Sequence, residues 1–299
     1  MIPHRIQTAK RALRPGGILW RRLAYLGARH GPVFWLRYSP PVFGWLAASV
    51  LGQARARVRQ NLRRVLGVRP SSVEYLDVAR TFAAYAACFA ESMGGQRHRP
   101  GAISHRIRGE EHLDRVLCGD RGAVLATAHV GAWDLAARWL PSLYPGRSIV
   151  VVMASEADAS ARQLHDQVRA RGGVRVAHLT DDPLQSVALL GELRHGSLIC
   201  VQLDRAPPSR RTVTVSLFGE PFHMPMGPFY LSALAGVALV PIFIARQGFL
   251  DYEVDIGAPI ELKSRPRPTE LEEAARRAAG HMEQFIRAHP TQWFHFEDR

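Results

Sequence analysis

With 299 residues, 47% of them hydrophobic, the chain has room for one large core or two smaller ones. Its three cysteines, Cys88, Cys118 and Cys200, show no C-x-x-C spacing, which argues against a disulfide framework or a cysteine-built metal site and for a reducing compartment. The net charge of +13 is confined to one end: residues 1–73 carry 14 Lys/Arg and no Asp or Glu, while the remainder carries 25 basic against 26 acidic residues.

Residues 1–30 read as a basic, weakly amphipathic helix, with no apolar core and cleavage site of a signal peptide. Residues 31–51, GPVFWLRYSPPVFGWLAASVL, are apolar but interrupted by Arg37 and Pro40-Pro41. A spanning helix needs about 20 uninterrupted apolar residues, so an interfacial or re-entrant segment is expected, with a buried helical hairpin as the plainer reading. A basic block suits nucleic acid or an anionic membrane surface. The aromatics woven into it, Trp20, Tyr25, Phe34, Trp35, Tyr38, Phe43 and Trp45, favour the membrane and not nucleic acid.

Residues 52–69 predict a basic helix with Val58, Leu62, Val65 and Leu66 on one face. Its arginines suit an acidic carrier protein, lipid phosphates or plain solvation. A core helix follows from Ser71 or Ser72 to Gly94-Gly95, then a loop over 96–103. From residue 104 strands and helices alternate. Strands are expected at 104–108, 122–128, 148–153, 174–179, 197–203, 212–218, 238–245 and 252–256. Helices are expected at 110–118, 132–143, 157–171, 183–194, 226–236 and 269–288. This predicts an α/β fold: a mixed, mostly parallel sheet flanked by helices. Three regions result: a membrane-associating segment 1–51, a helical subregion 52–103 and an α/β domain 104–299.

The stretch Thr127–Leu140, TAHVGAWDLAARWL, predicts a strand, a tight turn at Val130–Ala132 and a helix. It puts His129 at a strand's carboxyl end, where open α/β sheets build their sites. A neutral imidazole takes a proton from a hydroxyl near pH 7, and a carboxylate such as Asp134, five residues on, would hold its tautomer. Asp134 also suits a first helical turn without any catalytic part. Backbone N–H groups from Val130 to Trp133 are candidate oxyanion donors.

HVGAWD is an H-x4-D box, and it resembles that of the bacterial lipid A biosynthesis (lauroyl/myristoyl-type) acyltransferase family within the glycerolipid acyltransferase-like superfamily. VQLDRAPPSR at 201–210, the stretch 215–246 and the close AHPTQWFHFEDR are similar to further segments of that family in the same order. The resemblance spans residues 50–299. It implies a glycerolipid acyltransferase-like fold and a transfer from an acyl thioester, on acyl carrier protein or coenzyme A, to a lipid or glycolipid hydroxyl. It implies no cofactor and work at the cytoplasmic face of the inner membrane, peripheral or monotopic. His129 and Asp134 then carry the catalysis. Gly131, Trp133, Asp204, Arg205, Arg211, Glu220 and Arg246 are candidates for holding substrate: Asp204-Arg205 at a strand end, Arg210 and Arg211 as phosphate grips, Glu220 in a loose match to the family's third box, and Arg246 for a polar head. Trp133, Phe218 and Phe222 are candidates for an acyl slot.

After the strand at 148–153, Glu156, Asp158, Arg162 and Arg171 have no settled part, and His165, His178, His195 and His223 show no partner spacing. No zinc-protease motif is readable. Ala132 stands where lipid A enzymes often carry Asn, so the acceptor stays open. Two other functions stay open too: an esterase or thioesterase using the same pair, without a G-x-S-x-G elbow, and a non-catalytic lipid-binding relative.

Overall fold

The computed structural model describes residues 18–94, 103–154, 158–180, 182–206 and 211–296. Four helices come first: α1 (Ile18–His30), α2 (Val33–Val50), α3 (Gly52–Leu66) and α4 (Ser71–Gly94). The α/β part follows as β1 (Ser104–Arg108), α5 (Glu110–Leu117), β2 (Ala123–Thr127), α6 (Trp133–Ala137), α7 (Leu140–Leu143), β3 (Ile149–Met153), α8 (Ala159–Arg171), β4 (Val174–His178), α9 (Pro183–Arg194) and β5 (Leu198–Gln202). It closes with β6 (Thr212–Leu217), β7 (Glu220–Pro225), α10 (Gly227–Ala235), β8 (Leu239–Gly248), β9 (Asp251–Ile256), α11 (Pro268–Ala288) and a 3-10 turn at Pro290–Gln292.

Seven strands form one sheet in the order β1-β9-β8-β2-β5-β3-β4. Only β8–β9 is antiparallel, so the expected mixed, mostly parallel sheet is present. Helices lie on both faces. Leu125, Val151, Cys200 and Ile244 face the core beneath α4–α7; Val124, Val150, Ile199 and Phe243 face the core under α10, α11 and the β6–β7 hairpin. Strand alternation on central, doubly covered strands produces this division.

Three local differences from the sequence reading have physical causes. The apolar segment 31–51, read as interrupted by Arg37 and Pro40-Pro41, forms one helix, α2, containing both prolines. Proline costs a helix a backbone hydrogen bond, but Leu36, Pro40, Gly44 and Ala48 bury one side of α2, and Gly44 lets the backbone come so near Phe82 of α4 that an added Cβ would lie 2.5 Å from its carbonyl oxygen. The helix expected over 132–143 is split into α6 and α7, because Pro141 cannot continue the ladder. Strand β7 was not expected. Its two prolines hid it, and its turn is Phe218-Gly219, with φ of 55° and 80°, the mirror-image geometry that tight hairpins favour.

The other face of α2 is bare. Phe34, Trp35, Tyr38, Phe43 and Trp45 are all exposed. Among the described residues no helix is long and apolar enough to cross a membrane. Residues 1–17 lie outside the described part, as do residues 95–102, where nearly all of the loop expected over 96–103 falls, Glu156 and Arg210; the side chain of Trp20 is also not described.

Candidate active site

Two strands end side by side. In the parallel β2–β5 ladder Leu125 pairs with Cys200 and Thr127 with Gln202, and Leu203 continues the ladder by donating its N–H to the Thr127 carbonyl at 2.8 Å. Two residues further along each strand, the same register brings His129 and Asp204 together. His129 Nδ1 lies 2.8 Å from Asp204 Oδ1. The His129 backbone N–H donates to Asp204 Oδ2 at 3.1 Å, and the Trp293 indole N–H donates to the same oxygen at 3.1 Å.

Asp204 is wholly buried, whereas the His129 side chain keeps 18% exposure. Burial alone would favour the neutral acid. The His129 imidazole beside it, with Arg205 and His295, outweighs burial and holds the carboxyl well below the usual carboxylate range. A carboxylate facing Nδ1 fixes the proton there and leaves the Nε2 lone pair available. Trp133 stands edge-on to the imidazole, with ring centroids 5.7 Å apart.

The expected partner, Asp134, is engaged elsewhere, which corrects the pairing read from H-x4-D. Its carboxylate accepts from Arg169 Nε at 2.7 Å and from Ser92 Oγ at 3.0 Å. Trp133 and Asp134 are successive helical residues, about 100° apart around α6. With Trp133 turned to the imidazole, Asp134 faces α4 and α8. Its carboxyl is only partly buried, and Arg169 and Arg138 outweigh the desolvation to hold it below the usual carboxylate range. Asp134 therefore anchors the helix that carries Trp133.

The chain's close forms a clasp over this loop. Val130 bridges Trp293 in antiparallel fashion. Phe294 N–H donates to the His129 carbonyl at 2.8 Å, and Gly131 N–H to the Gln292 carbonyl at 2.9 Å. The Gln292 side chain holds Arg246 at both backbone groups, at 2.8 and 2.9 Å. Gln292-Trp293, part of the closing stretch that resembles the family, thus orients Asp204 and the His129 loop.

Gly131 packs against β8. Its φ is +54°, and an added Cβ would sit 2.0 Å from the Ile244 carbonyl oxygen. Gly131→Ala is expected to cost about 3 kcal/mol from strain and overpacking, read as a melting midpoint lower by roughly 5–10 °C. The control is Gly191→Ala on α9, where the space is open; it should leave the midpoint unchanged or raise it.

The remaining candidates fall in different places. Arg205 donates to the Phe294 carbonyl at 3.0 Å and so holds the clasp. The Arg246 guanidinium meets buried Glu91 at 2.8–2.9 Å, tying β8 to α4. Glu220 pairs with Arg64 at 2.8 Å on the hairpin, and Arg211 is exposed at the head of β6. Asp158 caps α8, and Arg171 donates to the Tyr25 hydroxyl. His178 pairs with Asp166, His195 with the Gly191 carbonyl and His223 with Thr214, while the ring of His165 meets Phe89.

An apolar recess of about 40 Å³ opens beneath Trp133, between the sheet and α6–α7. That is room for roughly three waters. Leu125, Cys200, Ile242 and Ile244 line it, with Thr127 and Gln202 as its polar members. Of the three residues expected to line an acyl slot, Trp133 does so. Phe218 and Phe222 belong to the core on the opposite face of the sheet.

An imidazole held by a buried carboxylate, next to a tryptophan that lines an apolar recess, is an arrangement able to move a proton near a hydrocarbon chain. The family model for bacterial lipid A biosynthesis acyltransferases matches residues 8–299. The chain belongs to that family. It is thus an acyltransferase of lipid biosynthesis. It is similar to the phosphatidylinositol mannoside acyltransferase of Mycobacterium tuberculosis, 30% identical over 247 residues, covering 79% of this chain and 74% of the relative. It is also similar to that of Mycolicibacterium smegmatis, 32% identical over 200 residues, covering 64% and 63%. Both relatives are named for phosphatidylinositol mannoside and not for lipid A.

Proposed function

We propose that this acyltransferase moves a fatty acyl group from a thioester donor, on coenzyme A or acyl carrier protein, to a hydroxyl of a membrane glycolipid of the phosphatidylinositol mannoside kind. The observation that carries the reading is the imidazole of His129, tautomer fixed by Asp204, beside an apolar recess. His129 Nε2 takes the acceptor's hydroxyl proton as the oxygen attacks the thioester carbonyl. The tetrahedral intermediate collapses, the C–S bond breaks, and the imidazolium returns its proton to the leaving thiolate. The recess takes the hydrocarbon nearest the carbonyl. The acceptor class rests on the two relatives.

Donor identity follows less from charge than the sequence suggested. Arg59 and Arg63 of α3 are paired with Glu74, whose carboxyl the Arg63 guanidinium holds down at about 2, and Arg64 is paired with Glu220. Arg55 donates to the carbonyls that end α2, and Arg57 to that of Phe296. This use of the arginines within the chain favours coenzyme A over an acidic carrier protein docked on α3.

Mass spectrometry of the purified protein with palmitoyl-coenzyme A and phosphatidylinositol mannoside in mixed micelles tests the reading. Acylated glycolipid is expected. Free palmitate without acylated glycolipid would favour the hydrolase, and neither product the non-catalytic relative.

The bare face of α2 supports peripheral attachment at the cytoplasmic face of the membrane, with aromatic rings at headgroup depth. The triple variant Phe34→Ser/Trp35→Ser/Phe43→Ser should weaken binding to phosphatidylglycerol-containing vesicles at least tenfold, since each buried aromatic is worth about 1.5–3 kcal/mol. Unchanged co-sedimentation would refute this placement.

A further inference from the structure

A transferred acyl group has one polar atom, the carbonyl oxygen, and that oxygen becomes an anion in the tetrahedral intermediate. Its stabilisation is usually a large part of catalysis. The donors suggested by the sequence were the N–H groups of Val130–Trp133. Two of them are committed to the fold: Val130 N–H to the Ala128 carbonyl at 2.7 Å, and Gly131 N–H to the Gln292 carbonyl at 2.9 Å.

Among the buried side-chain donors left without a hydrogen-bond partner in the described residues, one lines the recess itself. Gln202 Nε2 is buried and has no hydrogen-bond partner among the described residues. Gln202 ends β5 and lines the recess beneath Trp133. It lies on the same sheet face as His129 and Asp204, one pleat, about 6.6 Å, before Asp204 along the strand. The preceding residues of β5, Leu198–Val201, are all buried apolar side chains. A buried unpaired amide among such neighbours costs stability, and a group of that kind in a native fold has an explanation to be sought in function.

We propose that the Gln202 side-chain amide, in the wall of the recess on the strand that leads to Asp204, donates a hydrogen bond to the acyl carbonyl oxygen of the thioester and holds the oxyanion that forms there. As the acceptor oxygen bonds to the carbonyl carbon, the π pair moves onto the carbonyl oxygen and meets the Gln202 N–H. The hydroxyl proton goes to His129 Nε2. When the pair returns, the C–S bond breaks and the thiolate leaves with that proton. The inference rests on the acyl-transfer reading above.

The test compares the full-length wild type with Gln202→Leu and Gln202→Glu, using palmitoyl-coenzyme A and phosphatidylinositol mannoside and following release of the coenzyme A thiol. Leucine keeps the volume and removes the donor; glutamate adds a charge of the oxyanion's own sign. Gln202→Leu should lose about 10²-fold in kcat with KM within threefold, and its melting midpoint should not fall. Gln202→Glu should be at least as slow. Gln202→Leu turning over within about threefold of wild type overturns the proposal and leaves acyl transfer standing. So does a loss confined to KM, or a slow Gln202→Leu whose melting midpoint has also dropped. A wild type that releases no thiol and acylates no glycolipid overturns both.

Discussion

Replacing His129 by alanine is expected to lower kcat about 10⁴-fold, the upper range for a lost general base. No other described side chain stands where Nε2 does with a carboxylate behind it. The fold should survive, though less stable, because buried Asp204 loses one of its partners. It keeps two N–H donors, from the His129 backbone and the Trp293 indole. Steady-state rates of thiol release, taken well below the variant's own melting midpoint, separate the catalytic loss from the structural one. A variant within tenfold of wild type would remove the imidazole from the mechanism.

Asp204→Asn should be nearly as damaging, about 10³–10⁴-fold in kcat, for a reason written in its neighbours. Oδ2 faces two obligatory donors, and Oδ1 faces His129 Nδ1. An asparagine can satisfy both N–H groups only by turning its oxygen to them and its amide nitrogen to the imidazole. The proton is then forced onto Nε2, and the ring can no longer accept one from a hydroxyl. The double variant with His129→Ala should be little slower than either single one, since the two act as a unit. Asp134→Asn should instead act mainly on stability, by loosening α6 from Arg169 and Ser92. The acid limb of stability should change as well. Asp204 is held below its unfolded value, so its contribution is present above about pH 4 and fades as pH falls through the folded value. In Asp204→Asn that part of the limb should flatten.

The sheet was readable because its strands are short apolar runs closed by polar residues, and every one of the seven appeared in the sequence reading within a few residues. His129 was readable from its position at a strand end. Its partner was misassigned because spacing along one chain segment was taken for proximity. The two runs GAVLATAH and SLICVQLD, 122–129 and 197–204, have the same length and each ends in its ionisable residue. Aligning them as neighbouring parallel strands would have paired His129 with Asp204, but the choice of neighbours depends on a sheet order that periodicity does not carry. The hairpin partner β7 was hidden by prolines at 221 and 225, and by a Phe-Gly turn that lacks the usual Asn-Gly. The part played by the closing stretch, residues 290–294, was not legible for a different reason: its backbone groups, the Trp293 indole and the Gln292 side chain act on partners far away in sequence.

The pairing itself can be watched in one proton. The ring N–H of His129 at Nδ1, held against a buried carboxylate, should give a resolved low-field NMR resonance in the wild type and in Asp134→Asn, and none in Asp204→Asn or His129→Ala. A resonance that survives Asp204→Asn and disappears in Asp134→Asn would contradict the account and return the histidine to the partner that its own segment supplies.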